Sequence, residues 1–261
     1  RSNSKGDYWI YDLATKKLKK IGAKFPSSSL MFAKFSNDNR YVSYIHGFNI
    51  YAEDFETGSI RQLTSDRNST MINGTFDWVY EEELGLRDGW RWSPDGASIA
   101  YWQLNADEVR DFDLIDNTDS LYSFAKPVQY PKAGQANSAA RIGVVAATGG
   151  ATLWLQIPGD PRNNYLARMD WANNSSEVWV QRLNRLQNTN EFLIANAGTG
   201  AAQTVFVDQD STWVETVDDL TWLDGGKRFL WTSERDGWNH AYSVSRDGSD
   251  VRLLTPGAYD V

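Results

Sequence analysis

The chain has 261 residues, room for one large domain or two small ones at roughly 150 residues each, and its 41% hydrophobic and 23% charged residues supply a substantial core. A formal net charge of −8 argues against a broad nucleic-acid or anionic-membrane footprint. The absence of cysteine excludes disulfides, thiolate nucleophiles and cysteine metal sites; only two histidines, His46 and His240, argue strongly against a multi-histidine metal site, and no cofactor is expected.

In chain order, a polar start at 1–7 runs directly into the aromatic strand Tyr8-Trp9-Ile10-Tyr11 and the turn-rich Asp12-Leu13-Ala14-Thr15-Lys16-Lys17. A ten-residue block at 35–44 then begins with Phe35, carries Asn37, Asp38 and Asn39 in its middle and ends on Tyr41-Val42-Ser43-Tyr44. Blocks at 92–101, 171–180 and 222–231, opened by Trp92, Trp171 and Trp222, align with it without gaps. Asn, Asp and Gly accept the positive φ of tight turns, so each block is predicted as strand–turn–strand. A second unit alternates with the first: 50–58 and 241–248 repeat the pattern of 10–17. These read as hairpins too, an edge strand, a polar turn and a further strand such as 251–254. Two hairpins per repeat give four antiparallel strands, one blade of a β-propeller.

The aromatic block starts lie 57, 79 and 51 residues apart, a mean of about 62, whereas simple blades repeat every ~40–45 residues. The excess is assigned to two insertions, one around 76–87 and a longer one over 105–135. A two-sheet sandwich also strings short strands with turns, but the fixed internal order of the repeat favours the propeller. Helix is expected only at 80–86. The spacing allows about four to five blades; both ends fall inside the pattern, so the chain is expected to be a partial, open arc of a larger ring, much less stable in isolation than within the full protein. No apolar run approaches the ~18 residues of a membrane span, and no signal peptide opens the chain.

The first insertion, Phe76-Asp77-Trp78-Val79-Tyr80-Glu81-Glu82-Glu83-Leu84, is the informative one. On composition alone it reads as a capped helix start: Asp77 as N-cap, Glu81, Glu82 and Glu83 in the first turn, and Glu83 paired with Arg87 at i, i+4. The functional reading is a carboxylate pair that takes an ammonium group by charge-assisted hydrogen bonds.

The run Asp77-Trp78-Val79-Tyr80-Glu81-Glu82-Glu83, with Trp90-Arg91-Trp92-Ser93-Pro94-Asp95-Gly96 and Ile99-Ala100-Tyr101 after it, resembles the N-terminal propeller of the dipeptidyl peptidase IV family, serine exopeptidases of the prolyl oligopeptidase superfamily. Tyr130-Pro131-Lys132-Ala133-Gly134-Gln135-Ala136-Asn137, the stretch 180–188 and Ser233-Glu234-Arg235-Asp236-Gly237-Trp238-Asn239-His240 support it, and the resemblance spans 1–261. It implies an eight-bladed propeller, partial here, that gates and anchors substrate for an α/β-hydrolase domain following in the chain. It further implies that Glu82 and Glu83 bind the free α-amine of a peptide and that Arg1 binds the carbonyl of the penultimate residue. The segment 211–221 does not align cleanly with the family's pocket loop.

No Gly-x-Ser-x-Gly elbow occurs here; 96–100 and 248–250 both fail the pattern. The Ser-Asp-His triad is therefore expected outside these residues, leaving the chain alone inactive, and His46 and His240 read as structural or surface residues. The resemblance also implies homodimerisation through the 105–135 arm and a bacterial periplasmic or extracytoplasmic setting. Two other classes stay open: a non-catalytic propeller receptor or scaffold, and a periplasmic TolB-like binding propeller, whose blades also carry Trp-Ser-Pro-Asp-Gly but which has no reason to carry the Glu insertion.

Overall fold

Short antiparallel strands joined by Ser/Asp-stapled turns build nearly the whole molecule. A computed structural model describes residues 3–66 and 70–261, in two compact units, 1–152 and 153–261.

Unit 1 opens with the pair β1 (Trp9–Tyr11) and β2 (Leu18–Lys20). A four-stranded sheet follows, β3 (Met31–Phe35), β4 (Tyr41–His46), β5 (Asn49–Asp54) and β6 (Ile60–Gln62), paired in that order. β7 (Met71–Asn73) leads into helix α1 (Trp78–Glu82), and β8 (Trp90–Trp92) and β9 (Ser98–Asn105) come after it. β10 (Asp111–Asp116) and β11 (Phe124–Gln129) form a separate hairpin, and β12 (Ala139–Ala146) pairs with β9 along its full length. In unit 2, β13 (Leu153–Trp154) precedes two four-stranded sheets, β14 (Asn164–Trp171) to β17 (Ala202–Gln209) and β18 (Trp222–Leu223) to β21 (Val251–Leu253). Between these ends lie β15 (Glu177–Asn184), β16 (Thr189–Asn196), β19 (Arg228–Ser233) and β20 (His240–Ser245). Sequential antiparallel sheets of this kind are propeller blades.

All four aromatic blocks are strand–turn–strand, as their pattern predicts: β3–β4, β8–β9, β14–β15 and β18–β19. The turns of the first two blocks, and the β20–β21 turn of the second repeat, share one Ser/Asp device, whereas Asn174 serves the 171–180 block. Ser93 Oγ donates to Asp95 at 2.6 Å and accepts from the Ser98 N–H at 3.0 Å. Ser36 with Asp38, and Ser245 with Asp247, repeat the device. Hydroxyl donation, first from Ser245, holds the Asp247 carboxyl down at about 2.

The second repeat differs from expectation in one respect. In the second and third copies the first strand is an inner strand and the last is the edge, β5 being mostly buried and every residue of β21 exposed, whereas β1 of the first copy pairs on one side only. The apolar run Ile50-Tyr51-Ala52 needs neighbours on both sides, while 251–253 alternates polar and apolar residues at a wet rim.

The aromatic content goes into packing between sheets. In unit 2, Phe192 meets Phe229 at 4.4 Å between ring centroids, and Phe206 meets Trp231 at 5.4 Å. Trp179, Phe192, Phe206, Phe229, Trp231 and Tyr242 form one buried cluster. In unit 1, Leu30, Val42 and Tyr44 pack with Ile21, Tyr8 and Phe25. Tilted and edge-on rings fill the wedge between twisted sheets at about 0.5–1.5 kcal/mol per pair beyond burial.

Candidate functional site

The Glu-bearing insertion is an excursion from a single strand position. β7 reaches β9 at Asn73↔Gln103, and β8 resumes on the same strand at Trp90↔Tyr101, so only Trp102 of β9 lies opposite the gap. The two ends meet there. The Gly74 N–H donates to the Trp102 carbonyl at 2.9 Å, the Gly89 N–H to the Gly74 carbonyl at 3.0 Å, and the Trp102 N–H to the Gly89 carbonyl at 3.0 Å. Glycine is required at both points. Gly74 sits at φ +70°, and a Cβ on Gly89 would stand 2.8 Å from the Gly74 carbonyl carbon.

Beyond the neck, Asp77 caps α1, its Oδ1 accepting from the Tyr80 N–H at 3.0 Å. Its Oδ2 accepts from Ser138 Oγ at 2.6 Å, a residue 61 positions away. Phe76 stacks on Tyr80 at 5.5 Å and meets Trp102 edge-on at 5.2 Å, which fixes the helix to β9. Val79 and Leu84 are buried beside them. At the exit, Asp88 pairs with Lys34 of β3 at 2.7 Å, and the same ammonium lies 3.8 Å from the Trp90 ring centroid.

The helix is shorter than, and shifted from, the expected 80–86. It ends at Glu82, with Glu83 as C-cap donating its N–H to the Val79 carbonyl at 2.9 Å, and Gly85 turns the chain away at φ +67°. Glu81 alone lies in the first turn. The termination also removes the i, i+4 geometry that would pair Glu83 with Arg87. Glu82 and Glu83 are exposed, and their carboxylates have no hydrogen-bond or ion-pair partner among the described residues. Two adjacent free carboxylates therefore stand on a tightly anchored support, offering acceptors to a cation.

Arg1 lies outside the described residues. His46 bonds through Nδ1 to the Ser29 carbonyl at 3.3 Å and packs on Phe25, while His240 is buried with Nδ1 on the Asp236 carboxylate at 2.9 Å. The His240 bond holds the Asp236 carboxyl below its usual range. In unit 2 the segment 211–221 helps line a cavity of about 550 Å³ with Asp208, Asp210, Glu215 and Arg235. Asp208 is committed there to Trp231 Nε1, Ser233 Oγ and Arg235. The neck glycines and the Ser138–Asp77 bond escaped the sequence reading, because nothing local to Ser138 points to Asp77.

A family model described as the dipeptidyl peptidase IV (DPP IV) N-terminal region matches residues 1–261. The chain is 30% identical over 271 aligned residues to inactive dipeptidyl peptidase 10 of Rattus norvegicus, covering 97% of this chain and 34% of that protein. It is 25% identical to dipeptidyl aminopeptidase B of Saccharomyces cerevisiae, covering 100% of this chain and 33% of the relative. The crystal structure of Porphyromonas gingivalis dipeptidyl peptidase 4 superposes with a TM-score of 0.89 at 28% identity, covering 97% of this chain and 36% of that one. The chain thus spans about a third of the length of these relatives. The matched propeller region, with its Glu-bearing excursion and arm hairpin, belongs to the dipeptidyl peptidase IV N-terminal family.

Proposed function

We propose that this propeller region anchors the free N-terminus of a peptide through Glu82 and Glu83, so that a hydrolase domain of the same protein removes dipeptides. The observation that carries the reading is the pair of exposed carboxylates, unpartnered among the described residues, at the end of a helix held by the neck, the Asp77 cap and the Phe76–Tyr80–Trp102 stack. A peptide α-amine has a pKa of about 7.7–8.0 and is mostly protonated at pH 7. Its N–H groups match two carboxylate acceptors. Fixing that end makes the site a ruler, since two extended residues span roughly 7 Å and the second peptide bond then lies at a set reach. Nucleophile, general base and oxyanion donors belong to the other domain, a serine hydrolase in this reading. Arg1 complements the pair by taking the penultimate carbonyl.

The test is hydrolysis by the full-length protein of a dipeptidyl anilide with a free α-amine. Glu82→Ala or Glu83→Ala removes a charge-assisted bond of about 1.5–3 kcal/mol, and misplacement of the scissile bond adds to the loss. Activity should fall by at least about tenfold in each variant while the circular dichroism spectrum is kept. Acetylating the substrate amine should have a comparable effect, and the combined defect should be less than additive. Wild-type activity in both variants would sink the anchor and return Glu81 to Glu83 to a solvated helix start.

The similarity to a relative named as inactive favours one second reading, a non-catalytic binding propeller that uses the same carboxylates for capture alone. A full-length protein that binds free-amine peptides without hydrolysing any would establish it.

A further inference from the structure

The helix that carries Glu82 and Glu83 is too short to orient itself. It has five residues, whereas isolated helices below ~12–15 residues are marginal in water. Its bearing comes from what touches it. One set of contacts, the Phe76–Tyr80–Trp102 stack, ties it to the sheet. A second set comes from the root of the arm. Trp78, the first helical residue, lies against Tyr130 at 4.2 Å between ring centroids, and Tyr130 in turn meets Phe112 of β10 at 5.8 Å. The Tyr130 N–H donates to the Arg110 carbonyl at 3.1 Å, closing the base of the hairpin. Gln129 Nε2 adds bonds to the Ala106 and Val109 carbonyls at 2.8 and 3.2 Å. Where the chain returns from the arm, Ser138 donates to Asp77 Oδ2 while Asp77 Oδ1 holds the first turn of α1.

We propose that the arm root is a positioning element for the carboxylate pair: Tyr130 and Ser138 set the direction in which α1 presents Glu82 and Glu83. The proposal rests on the amine-anchor reading above. Neither residue touches the peptide; both act through the helix. Glu82 lies five residues beyond Asp77, about 7.5 Å along the helix axis, so a small rotation at the cap becomes a larger displacement at the carboxylates. Hydrogen bonds weaken steeply once alignment falls below about 120°, which turns loss of orientation into loss of amine affinity. The Tyr130 contribution is ring packing on Trp78, and the Ser138 contribution is a single hydrogen bond.

The experiment uses the full-length protein and an alanyl-alanyl anilide with a free α-amine. Tyr130→Ala and Ser138→Ala should each raise KM about tenfold with kcat changed by no more than about threefold, and Tyr130→Phe, which keeps the ring, should restore the parental KM. In a Glu82→Gln background, Tyr130→Ala should add less than about twofold, because the helix then has less to position. Ser138→Ala deletes one oxygen and carries the comparison independently of Tyr130→Ala. Parental KM in both arm-root variants, beside an impaired Glu82→Gln, would overturn the positioning role and leave the anchor standing. An undiminished tenfold effect in the Glu82→Gln background would also overturn it, by marking general loss of fold. Parental kinetics in Glu82→Gln itself would instead remove the anchor.

Discussion

Tyr101 and Tyr44 show how single side chains carry the cost of a crowded aromatic interior. Tyr101 is 1% exposed, and burial pushes its phenol up from 10.0 to about 12, although a hydrogen bond with Thr152 Oγ1 at 2.8 Å works in the opposite direction. Tyr44 is displaced in the same direction by burial first, then by Glu53, whose carboxylate it bonds at 3.3 Å. In the unfolded chain both phenols are charged above about pH 10, whereas in the fold they stay neutral there. A folded-state value raised above the unfolded one therefore gives stability that is complete below pH 10 and lost as pH climbs toward about 12. An absorbance titration of the tyrosinate band, followed with circular dichroism, should find these two rings ionising only as the fold is lost. Free ionisation of every tyrosine near pH 10 with the sheets intact would contradict the burial argument. At this scale the sequence was partly legible. Asp77 could be read as a cap, since Asp before Trp-Val-Tyr is local chemistry, but its second partner is Ser138, and no local pattern encodes a bond across 61 positions.

Among elements, the blades were legible and the excursion only half so. Three of the four aromatic blocks announced their turns through Ser, Asp or Asn side chains that hydrogen-bond within the turn, and the fourth through Gly225 and Gly226 at positive φ. The helix was harder. Its acidic run suggested a span through 86, yet helix formation stops where Gly85 turns left-handed, and the neck that closes the excursion depends on Trp102, a residue of another strand. The neck also gives an element-scale prediction. Replacing 75–88 by a two-glycine turn should keep β7 and β8 in register on β9, because their pairings flank a single residue. Amide exchange of β9 should stay protected, with a lower melting temperature from loss of the Phe76 and Tyr80 packing. Deprotection of β9 across its whole length would show that the excursion holds the sheet rather than hanging from it.

For the whole molecule, the arm carries a cluster of exposed apolar side chains. β10 and β11 pair over six residues each, yet Leu114, Ile115, Leu121, Tyr122 and Phe124 are exposed, Leu121 at 91% and Tyr122 at 81%. A two-stranded hairpin is marginal alone in water, and an apolar cluster of this kind marks an interaction surface. We predict that the full-length protein is a homodimer through this hairpin. Light scattering should give twice the chain mass, and joining residue 110 to 130 through a short linker should halve it. A monomeric parent would remove the prediction. The insertion was visible in the sequence by its length; that it forms a ribbon rather than a loop is shown by the six-residue pairing of β10 with β11, which no alternation in 111–116 announces.

The pinch at Gly74 and Gly89 carries a consequence for how such proteins diverge. On the register prediction above, the segment between those two glycines can be rewritten, lengthened or blunted at a single insertion point without re-registering a strand. In the proposed reading, recognition chemistry is thereby separated from strand register: amine capture could be discarded, or another specificity acquired, by change within one cassette while the strand pairing of the scaffold is kept.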